Sequence, residues 1–315
     1  MSPRCRSTPP SCGRPPVPEQ PVGTSTGRVP FGSRLRTAMD SRGQLCVGID
    51  PHPALLAAWG LADDPASLER FSLTVLEAVG ADVAAVKPQV ALFERHGSAG
   101  LAVLERLLAA CADAGVLSIA DAKRGDIGST MAGYADAWLR DGSALAADAV
   151  TLSPYLGFES LRPALDLAAA TGRGVFVLAL TSNPEGASVQ HVGGDQSVAA
   201  RIVAAAAAEN SRELGSPGPG STGLGSTGLG STGLVVGATV GRALTGLGLD
   251  LAAAQAPILA PGLGAQGATG ADLRATFGPA FPNVLATSSR DILAAGPAPA
   301  ALRDAAARTL AGLSG

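Results

Sequence analysis

Lysine is nearly absent from this chain. Of its 23 basic residues only Lys87 and Lys123 are lysines, and the other 21 are arginines. A compact, titratable ammonium has been kept at two positions where a delocalised guanidinium is no substitute, which makes both suspects for chemistry. Histidine is scarce too. His52, His96 and His191 show no paired metal-ligand spacing, so packing or surface roles are favoured over ligation and no metal is expected. The four cysteines lack a C-x-x-C pair, and Cys46 and Cys111 sit inside apolar segments as reduced thiols do in a cytoplasmic protein. No apolar run reaches the roughly 18 residues of a membrane span, and prolines occupy the N-terminus where a signal peptide needs an apolar stretch. A net charge of −3 without a local Lys/Arg cluster leaves no electrostatic footprint for nucleic acid. What these absences leave is a small-molecule ligand.

Residues 1–32 are rich in Pro, Ser, Gly and Arg. They read as a disordered tail, because they bury too little surface to offset their ordering entropy. A P-x-x-P-like spacing there is more often compositional accident than an SH3-type ligand. Residues 33–315 read as one catalytic domain, with a short helix around residues 31–40 leading into the first strand. Eight short apolar runs follow, at residues 45–49, 83–86, 116–120, 147–152, 174–180, 233–238, 257–260 and 284–287. Segments such as 67–80, 99–114, 130–141, 161–170 and 197–214 carry apolar residues at i, i+3, i+4 spacing, the signature of amphipathic helices. Eight strand-helix units predict an α/β protein, a single (β/α)8 TIM barrel with a disordered N-terminal tail. A doubly wound open sheet shares the alternation and differs chiefly in closure. The rhythm breaks at residues 215–232, where G-S-T-G-L begins a threefold repetition that runs from 220 to 234. This reads as a flexible low-complexity insertion on the side of the barrel away from the chemistry, so that deleting residues 220–230 is expected to leave turnover nearly intact.

Polar residues cluster just after the apolar runs, which in a barrel is the face that carries the active site. Asp50 follows run 1, Lys87 ends run 2, and Asp121 and Lys123 follow run 3. Ser182 and Asn183 follow run 5, Gly262 to Gly267 run 7, and Ser289 with Arg290 run 8. Lys123 between carboxylates suits a cation or proton donor, not the desolvated amine of a Schiff base; most Asp/Lys neighbours are solvated salt bridges, but the rarity of lysine weighs against that reading. Lys87 precedes Pro88, which disfavours helix there and so marks the strand end. Asp50, before Pro51, either caps a turn or binds a ligand. Arg124-Gly125-Asp126 resembles an integrin ligand only by coincidence in a cytoplasmic protein. Gly262-Leu-Gly264-Ala-Gln266-Gly267 fits G-x-G-x-x-G but follows the seventh run, where barrels build phosphate sites. With Arg290 as a bidentate partner it favours a phosphomonoester.

The segment D-A-K-R-G-D-I-G-S-T, residues 121–130, resembles the D-x-K-x-x-D-I-x-x-T signature of the orotidine 5′-phosphate decarboxylase family, in the form of its second bacterial type. The likeness extends through V-G-I-D-P-H-P (47–53), V-K-P-Q (86–89), S-P-Y-L-G (153–157), L-T-S-N-P-E-G (180–186) and A-P-G-L-G-A-Q-G (260–267). The resemblance implies a cofactor-free decarboxylase of pyrimidine biosynthesis, converting orotidine 5′-phosphate to UMP and CO2, built as a homodimer with sites near the subunit interface. It implies that Lys123 protonates C6, that Asp121 sits beside the departing carboxylate and that Lys87 ties the charged array together. Asp126 and Thr130 would reach in from the partner, Asp50 would bind ribose hydroxyls, Ser182 the pyrimidine amide, and Gln266, Gly267 and Arg290 the phosphate. The tail and the repeat lie outside the family pattern. Rivals are the Mg2+-dependent 3-keto-gulonate phosphate decarboxylases and hexulose phosphate synthases of the same suprafamily, a dinucleotide-dependent oxidoreductase using residues 262–267, and a degenerate barrel that only binds phosphate.

Overall fold

The computed structural model describes residues 27–215, 228–264 and 267–314. Eight parallel strands close into a barrel in sequence order: β1 (Leu45–Ile49), β2 (Ala85–Pro88), β3 (Leu117–Arg124), β4 (Ala149–Leu152), β5 (Gly174–Leu180), β6 (Thr232–Val236), β7 (Ile258–Pro261) and β8 (Val284–Ser288). Closure is made by β1 on β8, Leu45 standing against Ala286 and Cys46 against Thr287. This non-local pairing excludes the open doubly wound sheet. The five expected helices form over Pro65–Val79, Gly97–Asp113, Gly128–Leu139, Arg162–Thr171 and Val198–Gly215. The first of them shows why it begins where it does: Pro65 occupies its first position and the Asp64 side chain accepts a hydrogen bond from Ser67 N, a donor the helix itself cannot satisfy.

Side chains alternate along each strand. One set, including Val47, Val86, Ala120, Val150 and Val177, packs outward against the helices. The other points into the barrel. Its lowest layer, with Cys46, Ala85, Ile119, Phe176, Leu259 and Leu285, is plugged from below by Phe31, Leu35 and Met39 of helix α1 (Phe31–Arg42). Two residues further along each strand, the same inward set reads Gly48, Lys87, Asp121, Thr151, Leu178, Val235, Pro261 and Thr287. The polar layer of the barrel therefore lies one step above its apolar floor.

Helix α1 starts at Phe31, as the short helix expected around residues 31–40 does, so helical structure begins two residues ahead of the expected domain boundary at 33, and Phe31 is fully buried edge-on against Phe176. Residues 1–26 of the expected tail lie outside the described residues. The expected insertion is likewise described only at its ends. The helix Val198–Gly215 reaches its first residue, while Leu229 is buried and Ser231 donates two hydrogen bonds to the Glu213 carboxylate, through its N–H and its hydroxyl. The third G-S-T-G-L copy is thus the lead-in and first half of β6. A Cβ on Gly233 would fall 2.4 Å from the Phe176 ring, and one on Gly230 2.1 Å from Asn210 Oδ1.

Candidate active site

The site grows out of an irregularity in β3. Ala120 stands against Val150 and Arg124 against Leu152, so Asp121, Ala122 and Lys123 face the single residue Thr151. A bulge of this kind re-aims side chains, and it carries β3 four residues beyond the apolar run that ended at Ala120. Lys123 adopts φ +50°, a left-handed conformation rare for a residue with a Cβ. Asp121 and Lys123 are consequently both inside the strand and both at the barrel mouth.

Asp121 is the hub. Its Oδ1 accepts from Lys123 Nζ at 2.6 Å and from Thr151 Oγ1 at 3.0 Å, and its Oδ2 accepts from Lys87 Nζ at 2.9 Å and Gln89 Nε2 at 3.1 Å. Burial opposes its charge, but Lys87 and then Lys123 outweigh burial and hold the carboxyl well below the usual carboxylate range. For Lys87 burial disfavours the ammonium, and Asp50 and then Asp121 overcome it and push the group upward. The Lys87 side chain is 7% exposed and that of Lys123 is 45% exposed. One ammonium is locked in place, and the other is open to solvent. Cys46, beneath them, has its thiol pushed up to about 12 by burial, against the pull of Lys87, and stays an inert neutral thiol.

Asp50 lies 3.9 Å from Lys87 Nζ through its Oδ1, which is buried and has no hydrogen-bond partner among the described residues. A cavity of about 270 Å³ opens above this array, lined by Asp50, Lys87, Gln89, Asp121 and Lys123 on one side and by Thr181, Gly262, Leu263, Ser289 and Arg290 on the other, over an apolar base of Leu178, Val235 and Leu259. Arg290 is exposed at the start of a single helical turn, Arg290–Leu293. The glycine loop follows β7 of a closed barrel, with Gly262, Gly264 and Gly267 all at positive φ. That is not the first strand-helix unit in which a dinucleotide fingerprint operates.

Of the expected residues, Asp50, Lys87, Asp121, Lys123 and Arg290 share this cavity. Ser182 is exposed beside it, and the neighbouring Thr181 is the one that lines the wall. Gly267 borders an adjacent cleft, and Gln266 lies outside the described residues. Asp126 accepts a hydrogen bond from Ile127 N, Thr130 is exposed on the helix Gly128–Leu139, and neither lines the cavity of its own barrel. Gln89 and Thr151 were missed as site residues. Both are uncharged, but counting in twos from Lys87 and from Ala149 identifies them.

Comparison with known proteins agrees with this geometry. A family model described as "Orotidine 5′-phosphate decarboxylase / HUMPS family" matches residues 43–305. The orotidine 5′-phosphate decarboxylase of Salinispora arenicola is 57% identical over 89% of this chain and 96% of its own length. That of Streptomyces coelicolor is 55% identical over 89% and 95%. A crystal structure from Streptomyces avermitilis superposes with a TM-score of 0.83 at 55% identity, covering 92% of this chain and 96% of the other, and Leishmania donovani OMP decarboxylase does so with 0.69 at 29%, covering 91% and 98%.

Proposed function

The chain belongs to the orotidine 5′-phosphate decarboxylase / HUMPS family, and from that membership we propose that it decarboxylates orotidine 5′-phosphate to UMP, with Lys123 as the acid. The observation that carries the reading is Asp121 gripped between two ammonium groups at the mouth of the barrel. Breaking the bond from C6 to the carboxylate releases CO2 and leaves an electron pair on C6 with no conjugated sink. Stabilising it takes positive charge already in place. Lys123 supplies that charge, then its proton, and its exposed side chain recovers a proton from solvent. Asp121 lies beside the departing carboxylate, and Lys87 holds Asp121.

The remaining contacts follow the cavity. The orphan Oδ1 of Asp50 accepts from a ribose hydroxyl. Arg290, with Gln266 and Gly267, takes the phosphate, whose binding energy far from C6 can be expressed in the transition state through loop closure. Ser182, or Thr181 on the cavity wall, hydrogen-bonds the pyrimidine amide. The HUMPS alternative is disfavoured, because both Asp121 oxygens are engaged by ammonium groups and this repels a divalent cation. Asp126 and Thr130 act in the site of a second copy. Exposed Ile127, Tyr155 and Leu156, on the neighbouring loops after β3 and β4, support a dimer at this face. Buried free thiols at Cys46 and Cys111 support a cytoplasmic location; no helix among the described residues is long and apolar enough to cross a membrane.

Loss of orotidine 5′-phosphate absorbance tests the assignment. Turnover unchanged by a chelator is expected; no turnover removes the reading, and chelator-sensitive turnover moves it to the metal-dependent branch.

A further inference from the structure

The geometry points to Thr151 as the positioning residue that sets Lys123 and Asp121 in their working arrangement. The inference rests on the decarboxylase reading for its kinetics but on the bulge for its structure.

Thr151 is the one residue of β4 opposite the three-residue bulge, and it is 1% exposed. Water therefore does not compete for its hydroxyl. That hydroxyl makes two contacts with no freedom in their direction. Lys123 N–H can only donate, so Thr151 Oγ1 accepts from it at 2.9 Å. Asp121 is ionised and can only accept, so the single hydroxyl hydrogen goes to Asp121 Oδ1 at 3.0 Å. The same Oδ1 receives Lys123 Nζ at 2.6 Å. One oxygen thus holds the left-handed backbone of Lys123 and one edge of the carboxylate that Lys123 must contact.

The side chain suits this use. A β-branched residue on a strand has a restricted χ1, so the hydroxyl is aimed before Lys123 is. Without it, the Lys123 N–H loses its Thr151 acceptor at a residue held at positive φ (+50°), and the chain can relax toward a regular strand that turns the ammonium away from the reacting carbon. Phosphate and ribose contacts lie on other strands and are untouched.

Three variants and two measurements test the assignment. Thr151→Val keeps the shape and removes both hydrogen bonds. Its kcat is expected to fall by about 10- to 100-fold, as misplacements of about 1 Å do, with KM changed less than about threefold. Thr151→Ser keeps the hydroxyl and is expected to stay within about fivefold of the wild type. A kcat for Thr151→Val within twofold of the wild type, a loss appearing mainly in KM, or a Thr151→Ser as impaired as the valine variant overturns the inference. Crystal structures of the variants give the second readout: Lys123 leaving positive φ in Thr151→Val supports the assignment, and Lys123 and Asp121 unmoved overturn it. Thr151→Ala replaces the valine variant in both measurements if the latter is insoluble. Should the wild type itself not turn over orotidine 5′-phosphate, the substrate reading falls while the crystallographic arm still decides the role of Thr151.

Discussion

The two ends of the barrel both concentrate charge, and they use it differently. At the floor the charge is arginine and is consumed by structure, with only the buried Arg173 Nε lacking a hydrogen-bond partner among the described residues. Arg28 donates to Asp141 and to Thr171 O, Arg34 to Asp148 and Gly172 O, and Arg173 to Asp141 and Ala147 O. These bonds tie helix α1 and the end of the helix Arg162–Thr171 to the strand ends, closing the plug under Phe31. At the mouth the charge around Asp121 is lysine, held by that buried carboxylate, with Arg290 further along the cavity wall, and an acceptor is left over: Asp50 Oδ1 has no hydrogen-bond partner among the described residues. The scarcity of lysine acquires a physical meaning here. The forked guanidinium ties carbonyls and carboxylates together, while the Lys123 ammonium stands where a proton is to be given up and the Lys87 ammonium holds the carboxylate beside it.

The largest separation of the two ends comes from paired substitutions. Lys123→Ala is expected to lower kcat/KM by about 10⁴-fold or more, combining the loss of a general acid with that of a pre-organised charge. Its melting temperature should move by less than about 2 °C, since the side chain is 45% exposed. Phe31→Ala should do the reverse. It opens a hole against Phe176 and costs about 3–5 kcal/mol, roughly 10 °C in a domain of this size, with kcat within twofold of the wild type well below the melting point. Kinetics and thermal unfolding of both variants make the comparison; a floor variant that loses kcat while still folded breaks the division between the ends.

A smaller effect sharpens the account of the mouth. The Asp121 carboxyl titrates lower in the folded protein than in the unfolded chain, so its contribution to stability is present above pH about 4 and is lost as pH falls below that. The Lys87 ammonium is shifted upward, so its contribution is present below pH about 10 and declines above. Urea unfolding of the wild type and of an Asp121→Asn/Lys87→Met variant should therefore differ by a constant amount between pH about 5 and 9. The difference should shift against the wild type by about 1–2 kcal/mol by pH 3. A difference that already slopes near pH 6 places the charge pair in another ionisation state and removes the premise of the site.

What was legible in the sequence follows the same division. The floor and the outer core were readable because period two and period 3.6 are local; β1 and β5 begin and end at the expected residues. Closure was not local, since it depends on Leu45 meeting Ala286, 241 residues apart by their numbers. At the mouth the charged residues stood out by type, and Asp50, Lys87, Asp121, Lys123 and Arg290 do converge on one cavity. The end of β3 was misplaced because apolar runs mark buried strands, whereas this strand continues through polar residues held by hydrogen bonds from β4. Gln89 and Thr151 escaped for a related reason: neither carries charge, and only strand parity reveals them.

The smallest effect is expected from the first copy of the repeat, whose third copy opens β6 at the floor, where Gly32 N donates to Ser231 Oγ. The three G-S-T-G-L copies are identical, so removing Gly220 to Leu224 leaves the five residues ending at Leu229 unchanged in sequence. The connection from Gly215 shortens, which alters loop closure by only about a few tenths of a kcal/mol. Deletion through Gly230 is different, because it takes away buried Leu229 and a glycine whose position admits no Cβ beside Asn210. The tolerated contraction therefore stops short of the residues 220–230 first expected to be dispensable. Removal of Gly220 to Leu224 should leave kcat within 1.5-fold of the wild type and the melting temperature within about 1 °C. Gly230→Ala, a single added methyl, should lower the melting temperature by several degrees, as overpacking does at about 1–3 kcal/mol. If the contraction proves the more damaging of the two, the repeat is a structural part of the barrel along its whole length.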